Sequence, residues 1–359
     1  MSALPGADPW RVRVNSEYLA MDALWEAEST AIRWLQGAGD WLAHPLGAIT
    51  HLGSQGLIIV LLAAVFWSVH AGTGARLFVA VIASGAVNGL LKSVSYTPRP
   101  YWFDAQVTGH HHHGSFGMPS GHSQAAMVAW GYLGLRTGRQ GLMWAAGAVI
   151  LLVAFSRVYL GVHFFSDVLA GLAVGALILW LVLRYEDRVL LWWRSLATGR
   201  WVSYLLVATL VPCLLITAWQ YGARGDWVVP HTEWIGATSA DPAGSSLAGL
   251  YTACGGLLGG VFGFTLLYRR GWYSAEGTVT ARVARFALGI SVVVLIMVLE
   301  EVLFGEPTGM AAALLSFVTY AGMAFWATYG APRMFVRSGL AASAQEVGPT
   351  GARETGHSV

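Results

Sequence analysis

Charge is scarce in this chain. Of its 359 residues only 11% are charged, where about a quarter is usual for a soluble protein, and 55% are hydrophobic. So few ions do not suffice for a water-facing surface, and a bilayer is the expected solvent. The 21 Lys and Arg nearly cancel the 19 Asp and Glu, leaving a net charge of +2; with no clustered basic stripe, no nucleic-acid partner is expected. Cysteine is equally sparse. Cys213 and Cys254 stand in apolar runs with neither CxxC nor ligand spacing, which argues against a disulfide scaffold and a zinc site and leaves them as small core residues. Residues 1–50 mix acids, Trp and Gly and lack the basic start and short apolar core of a secretory leader, so insertion is expected to use the first spanning helix.

Long apolar runs are what the chain has in abundance. A helix crosses the bilayer core with about 20 apolar residues, and nine segments approach that length, near 53–70, 76–93, 119–136, 142–158, 163–184, 201–220, 247–268, 284–304 and 309–331. The expected fold class is therefore all-α, a polytopic transmembrane helical bundle. Basic residues gather on cytoplasmic loops, and with nine spans most arginines, among them Arg76, Arg136, Arg184, Arg194, Arg269 and Arg337, fall on one side together with the C-terminus. The other side holds Lys92, Arg99, Arg157 and Arg224.

The segment Tyr18 to Gln36 sets Met21, Trp25, Ile32 and Leu35 on one helical face, so residues 1–50 read as an interfacial amphipathic segment. Small residues four apart in CGGLLGGVFGF, residues 254–264, favour close helix packing over a ligand role. Trp102, Trp192, Trp193, Trp201 and Trp219 are expected in an aromatic belt. Residues 338–359, rich in Ala, Ser, Gly and Thr, are expected to be a disordered tail.

Three polar islands interrupt the apolar chain: Lys92 with Arg99 and Pro100, then Pro119-Ser120-Gly121-His122, then Ser156-Arg157 with His163 and Asp167. The span count places all three at helix ends on the non-cytoplasmic side. Ionisable groups at membrane depth are costly and mark functional sites. Three cations, two of them guanidinium forks matched to phosphate oxygens, point to a phosphate guest. Ser120 and Gly121 open a helix, whose first N–H groups favour an anion. His163 and Asp167, four apart, share a helix face; the carboxylate holds one ring nitrogen and leaves the other to attack phosphorus. His122 remains as acid toward the leaving oxygen and base toward water. Ser156 is assigned a supporting hydrogen-bonding role. The scheme calls for no metal and no cofactor.

The stretches KSVSYTPRP at 92–100, PSGH at 119–122 and SRVYLGVHFFSD at 156–167 resemble the three motifs of the type 2 phosphatidic acid phosphatase (PAP2) family, with every motif position filled. The resemblance implies a six-helix catalytic core, phosphate held by Lys92, Arg99, Ser120, Gly121 and Arg157, His163 as nucleophile, His122 as acid and Asp167 as its support. Domains are then expected at 51–220 for the PAP2-like core and 221–337 for about three additional C-terminal helices. The implied activity is hydrolysis of a lipid phosphate monoester or diphosphate, such as phosphatidate, phosphatidylglycerophosphate, a sphingoid phosphate or a polyprenyl diphosphate, through a phosphohistidine. The charge distribution leads us to expect a bacterial plasma membrane with an extracytoplasmic site, and an organelle membrane with a lumenal site fits the same charges.

Rival readings use the same residues. A phosphotransferase would pass the phosphoryl group to an acceptor alcohol, a phospholipid-binding or transport protein would need the cations but no oriented nucleophile, and a vanadium haloperoxidase would hold vanadate in the pocket. The run His110 to His113 reads as a solvated loop more than as a metal site, since it has no carboxylate or Cys at ligand spacing, and its protonation at low pH is a further way to alter phosphate attraction. Glu300 and Glu301 read as packing or interface residues. No pattern speaks to oligomeric state.

Overall fold

The computed structural model describes residues 9–231, 233–237, 241–305 and 307–343. Among them the chain is mostly helical, and pairing between extended segments is limited to one bridge, Tyr273 with Ser343. Thirteen α-helices follow one another: α1 (Pro9–Gln36), α2 (Ala43–Thr50), α3 (Gln55–Ala64), α4 (Ala71–Ser95), α5 (Pro100–Phe103), α6 (Gly121–Thr137), α7 (Gln140–Tyr159), α8 (Phe165–Ser195), α9 (Thr198–Ala218), α10 (Pro242–Arg270), α11 (Val279–Phe304), α12 (Gly309–Phe325) and α13 (Ala331–Arg337).

Seven of the described helical stretches are long and apolar enough to cross a membrane, and the pair Asp40–Gly53 and Gln55–Val69, bent by 49°, makes an eighth if taken as one span. The expected segment 119–136 is α6, which has 17 residues, about 26 Å at 1.5 Å per residue, short of the roughly 30 Å hydrocarbon core. It needs no full span because neighbours surround it: Val128, Ala129 and Tyr132 are buried among α3, α4 and α8. The outer faces carry exposed leucines and valines, such as Leu177, Leu214, Leu215, Val302 and Leu303, a surface suited to lipid and not to water.

Local chemistry sets the helix ends. His70 caps α4, its Nδ1 accepting from the Thr73 amide at 3.0 Å, and Tyr96 ends it in the left-handed region at φ 48°. Ser120 caps α6, and Gly138, at φ 63°, closes it where a side chain would be strained. Asp241 caps α10 through the Gly244 amide, with Pro242 in the first turn.

α10 is the seam between core and C-terminal helices. A Cβ on Gly255 or Gly259 would strike the α12 backbone at Phe317 or Ala321, and one on Gly89 of α4 would lie 2.7 Å from the Leu250 backbone. The small-residue run thus serves close packing. Three expectations are revised. Trp102 and Trp201 are core residues, 1% and 2% exposed, because their rings fill aromatic clusters, whereas Trp192 and Trp219 face outward. The face of α1 lies against protein, with Trp25 stacked on Phe164 and edge-on to Phe103. Residues 338–343 of the expected tail are placed, Ser343 bridging to Tyr273 and Leu340 bonding back to Phe335; residues 344–359 lie outside the described residues.

Candidate active site

Four helix ends meet at one end of the bundle: the close of α4 and α7 and the start of α6 and α8. Lys92, three residues from the end of α4, donates from Nζ to the carbonyls of Phe116 at 2.6 Å and Gly117 at 2.9 Å. Arg99 spreads its fork over the same loop, Nε to the Ser115 carbonyl at 2.8 Å and Nη2 to Ser115 Oγ at 3.0 Å, while Nη1 donates to the Val162 carbonyl at 2.9 Å. Both cations are buried. They hold residues 115–117 in place and bring positive charge to the wall of the pocket.

The nucleophile candidate stands in the turn before α8, not on the helix as its spacing suggested. His163 Nδ1 lies 3.1 Å from Asp167 Oδ2, and the same oxygen accepts from the Phe164 amide at 3.0 Å. An ionised carboxylate only accepts, so His163 donates from Nδ1 and its Nε2 carries the lone pair. Arg99 Nη1 is 3.4 Å from that Nε2. Burial first, then Arg99, Lys92 and Arg157, push the His163 pKa well below its usual value, so the imidazole is neutral. His163 and Asp167 are 2% and 1% exposed, and theirs is the one ion-pairing contact at the site among the described residues. Three buried cations against one buried carboxylate leave a positive excess that an anion offsets.

The α6 start closes the site from the side. Ser120 is buried, its amide donates to the Asp167 carbonyl at 2.9 Å, and its Oγ accepts from Ser123 Oγ at 3.0 Å. Gly121 and His122 are partly exposed, and His122 faces His113 with ring centroids 6.1 Å apart. Arg157 donates from Nη1 to Thr50 Oγ1 at 2.8 Å, and its Nη2 lies 2.8 Å from His113 Nε2. Its Nε is buried with no partner among the described residues, a donor that a further oxygen would satisfy. Ser156 stands apart: it is fully buried and donates to the Val153 carbonyl at 2.6 Å, so its oxygen serves its own helix.

Several contributors carried no signal in the sequence. Thr50 reaches Arg157 from 107 residues away. Gly171 faces the Ser120 backbone at 2.5 Å from where a Cβ would sit, and Gly53 faces the His122 carbonyl at 2.8 Å; larger residues there would push the anion loop out of place. Glu28 of α1 accepts from the Ser166 amide at 3.1 Å and its hydroxyl at 3.0 Å, holding the start of α8. Ser246 of α10 accepts from the Phe116 amide at 3.3 Å, bracing the loop from the C-terminal helices. His113 was readable only as part of a histidine run. Buried first, then opposed by Arg99, Arg157 and Lys92, its pKa is pushed down to about 2, so it stays neutral and is not the low-pH charge the run suggested.

Comparison with known proteins bears on these residues. A model described as the PAP2 superfamily matches residues 73–190, and one described as a PAP2 superfamily phosphatase transmembrane extension matches residues 251–343. The chain is 30% identical over 162 residues to phosphatidylglycerophosphatase B of Bacillus subtilis, covering 42% of this chain and 77% of that one. It is 36% identical over 100 residues to dolichyldiphosphatase of Saccharomyces cerevisiae, covering 25% of this chain and 42% of that one. Among solved structures, the crystal structure of a transmembrane PAP2 type phosphatidylglycerolphosphate phosphatase from Bacillus subtilis is 28% identical, with a TM-score of 0.41, covering 47% of this chain and 88% of that one.

Proposed function

The chain belongs to the PAP2 superfamily of membrane phosphatases, and from that premise we propose that it removes phosphate from a membrane lipid through a phosphohistidine on His163. The observation that carries this reading is the buried His163–Asp167 pair at 3.1 Å with Arg99 3.4 Å from the other ring nitrogen. Asp167 orients the ring and steadies the charge it gains, and His163 Nε2 attacks phosphorus. The nitrogen–phosphorus bond forms as the bond to the lipid oxygen breaks, and His122, held neutral in the free site by burial and Arg157, takes the proton of the incoming phosphate monoanion and passes it to that oxygen. Water, relieved of a proton by His122, then attacks the phosphohistidine, and inorganic phosphate leaves.

Lys92, Arg99 and Arg157 hold the phosphoryl oxygens with the Ser120–Gly121 helix start and stabilise charge in both transition states. Because these groups supply that charge, the scheme proceeds without a metal. The lipid classes remain phosphatidate, phosphatidylglycerophosphate, sphingoid phosphates and polyprenyl diphosphates; the two relatives named above act, by name, on a phosphatidylglycerophosphate and a dolichyl diphosphate. The setting is a bacterial plasma membrane with the site outside and the C-terminus in the cytoplasm, supported by the arginines gathered at the far ends of the helices.

The test is phosphate release from a panel of lipid phosphates by purified protein in EDTA, with His163→Ala alongside. Release that persists in EDTA, is blocked by vanadate and is lost in the variant is the expected result. Full activity in His163→Ala would remove the nucleophile assignment.

A further inference from the structure

Lys92, Gly121 and His122 face two ways. They belong to the anion pocket, and they also line the upper end of a largely apolar cavity of about 370 Å³ that runs between the core and the C-terminal helices. Its core wall includes Ile58 and Leu62 of α3 and Val81 of α4, and its other wall Gly256 of α10, Val293 of α11 and Met323 of α12. Helices α4 and α10 close its back, because a Cβ on Gly85 would lie 3.5 Å from Ala253 Cβ and one on Gly256 would lie 3.5 Å from Ile82. The lining runs along α4 from Lys92 to Phe78, a descent of about 21 Å at 1.5 Å per residue. That length exceeds the depth of one leaflet, which is half of a hydrocarbon core of roughly 30 Å, or about 15 Å.

We propose that this cavity receives one hydrocarbon chain of the substrate, longer than a leaflet is deep, and that α10, α11 and α12 form the half of the protein that reads it. The proposal rests on the upper pocket being the phosphate site, since that continuity is what identifies the occupant. It narrows the substrate class to lipid phosphates with a single long chain. A two-chain glycerolipid ends its tails near the bilayer middle and would leave the lower reach unfilled. Moving a chain from lipid into an apolar cavity exchanges like for like, so little affinity comes from the transfer itself. The gain is positional: a seated chain sets the depth and direction of the phosphate against His122 and Lys92.

The experiment compares prenyl phosphates of short and long chain with a two-chain phosphatidate, in one detergent, for wild type and for Gly256→Leu and Val293→Trp, which fill the cavity from two helices. Melting temperatures confirm that each variant is folded. Wild type is expected to prefer the long single chain, and each variant to lose at least about tenfold in kcat/KM on it while keeping its rate on the short one. A preference for phosphatidate, or variants that leave the chain-length preference unchanged, would overturn the proposal while the phosphatase reading stands. A photoreactive long-chain prenyl phosphate, bound to His163→Ala, decides the tail site independently of turnover. Crosslinks in the α10 and α12 segments around Ala253 and Met323 are expected, and crosslinks confined to the outer faces of α8 and α9 would contradict it. If those inner crosslinks form but no lipid phosphate is hydrolysed, the catalytic reading fails and the tail site survives.

Discussion

Asp167 ties three parts of the site together. Its Oδ2 meets His163 and the Phe164 amide, and its carbonyl accepts from Ser120 at the start of α6. Replacing it with Asn keeps the shape but removes the charge that fixes the tautomer of His163. Asp167→Asn is expected to lower kcat by about 10²–10⁴-fold with little change in KM, read by steady-state kinetics. Arg157 acts as a fork between Thr50 and His113, a geometry that a lysine ammonium does not reproduce. Arg157→Lys is expected to raise KM for lipid phosphate about tenfold, with a smaller effect in Thr50→Ala. His113 carries a pH signature. It is neutral in the fold down to about pH 2, whereas an unfolded histidine takes a proton near pH 6.5. The unfolded state therefore binds more protons between these values, and stability falls as pH drops below about 6.5. Thermal melts from pH 7.5 to about 4.5 are expected to show a shallower fall in His113→Asn than in wild type; equal slopes would exclude this origin. At this scale the sequence showed what spacing can encode. The motif residues stood out because charge is rare in an apolar chain, and Asp167 because it follows His163 by four. Thr50, Gly171 and the inward turn of His113 depend on which helices become neighbours, and spacing along one chain does not carry that.

The helices position these residues through their ends. The capped start of α6 is held beside His163 by the Ser120 amide, which donates to the Asp167 carbonyl at 2.9 Å. The expected boundaries erred mostly by being too short: α8 runs to Ser195 and α10 begins at Pro242, since polar and charged residues continue a helix beyond the hydrocarbon core. The bend before Gln55 was also hidden, because apolar composition does not record a change of direction. Glycines set how closely α10 approaches α12, and Gly259→Leu is expected to destabilise the protein by about 1–3 kcal/mol or more through overpacking, read from thermal unfolding in detergent. Ser246→Ala would free the Phe116 amide and loosen the phosphate loop, for an expected loss of about 1 kcal/mol in stability, with KM raised more than kcat is lowered.

The molecule as a whole has charged groups gathered at two places. One holds the cations around His163. The other gathers Arg76 with Glu186 and Asp187, Arg136 with Glu186, and Tyr132 donating to the same carboxylate, a network that ties α4, α6 and α8 together far from the chemistry. The distribution of arginine along the sequence anticipated this grouping. The union of core and C-terminal helices into one walled cavity was not legible, because the lining residues are ordinary Ile, Leu, Val and Gly. Orientation has a direct check, since both native cysteines are buried and give no background. A cysteine placed at the exposed Thr108 is expected to label from outside intact cells, and one at Ser195 only after permeabilisation; the reverse pattern would invert the topology. The central claim concerns a bond to one nitrogen. Rapid acid-free quenching of a single turnover with a phosphate-labelled lipid, followed by peptide mapping, is expected to find acid-labile phosphate on His163 that rises and decays within the turnover and is absent from His163→Ala. Label on another residue, or release of phosphate with no labelled enzyme at any time point, would contradict it.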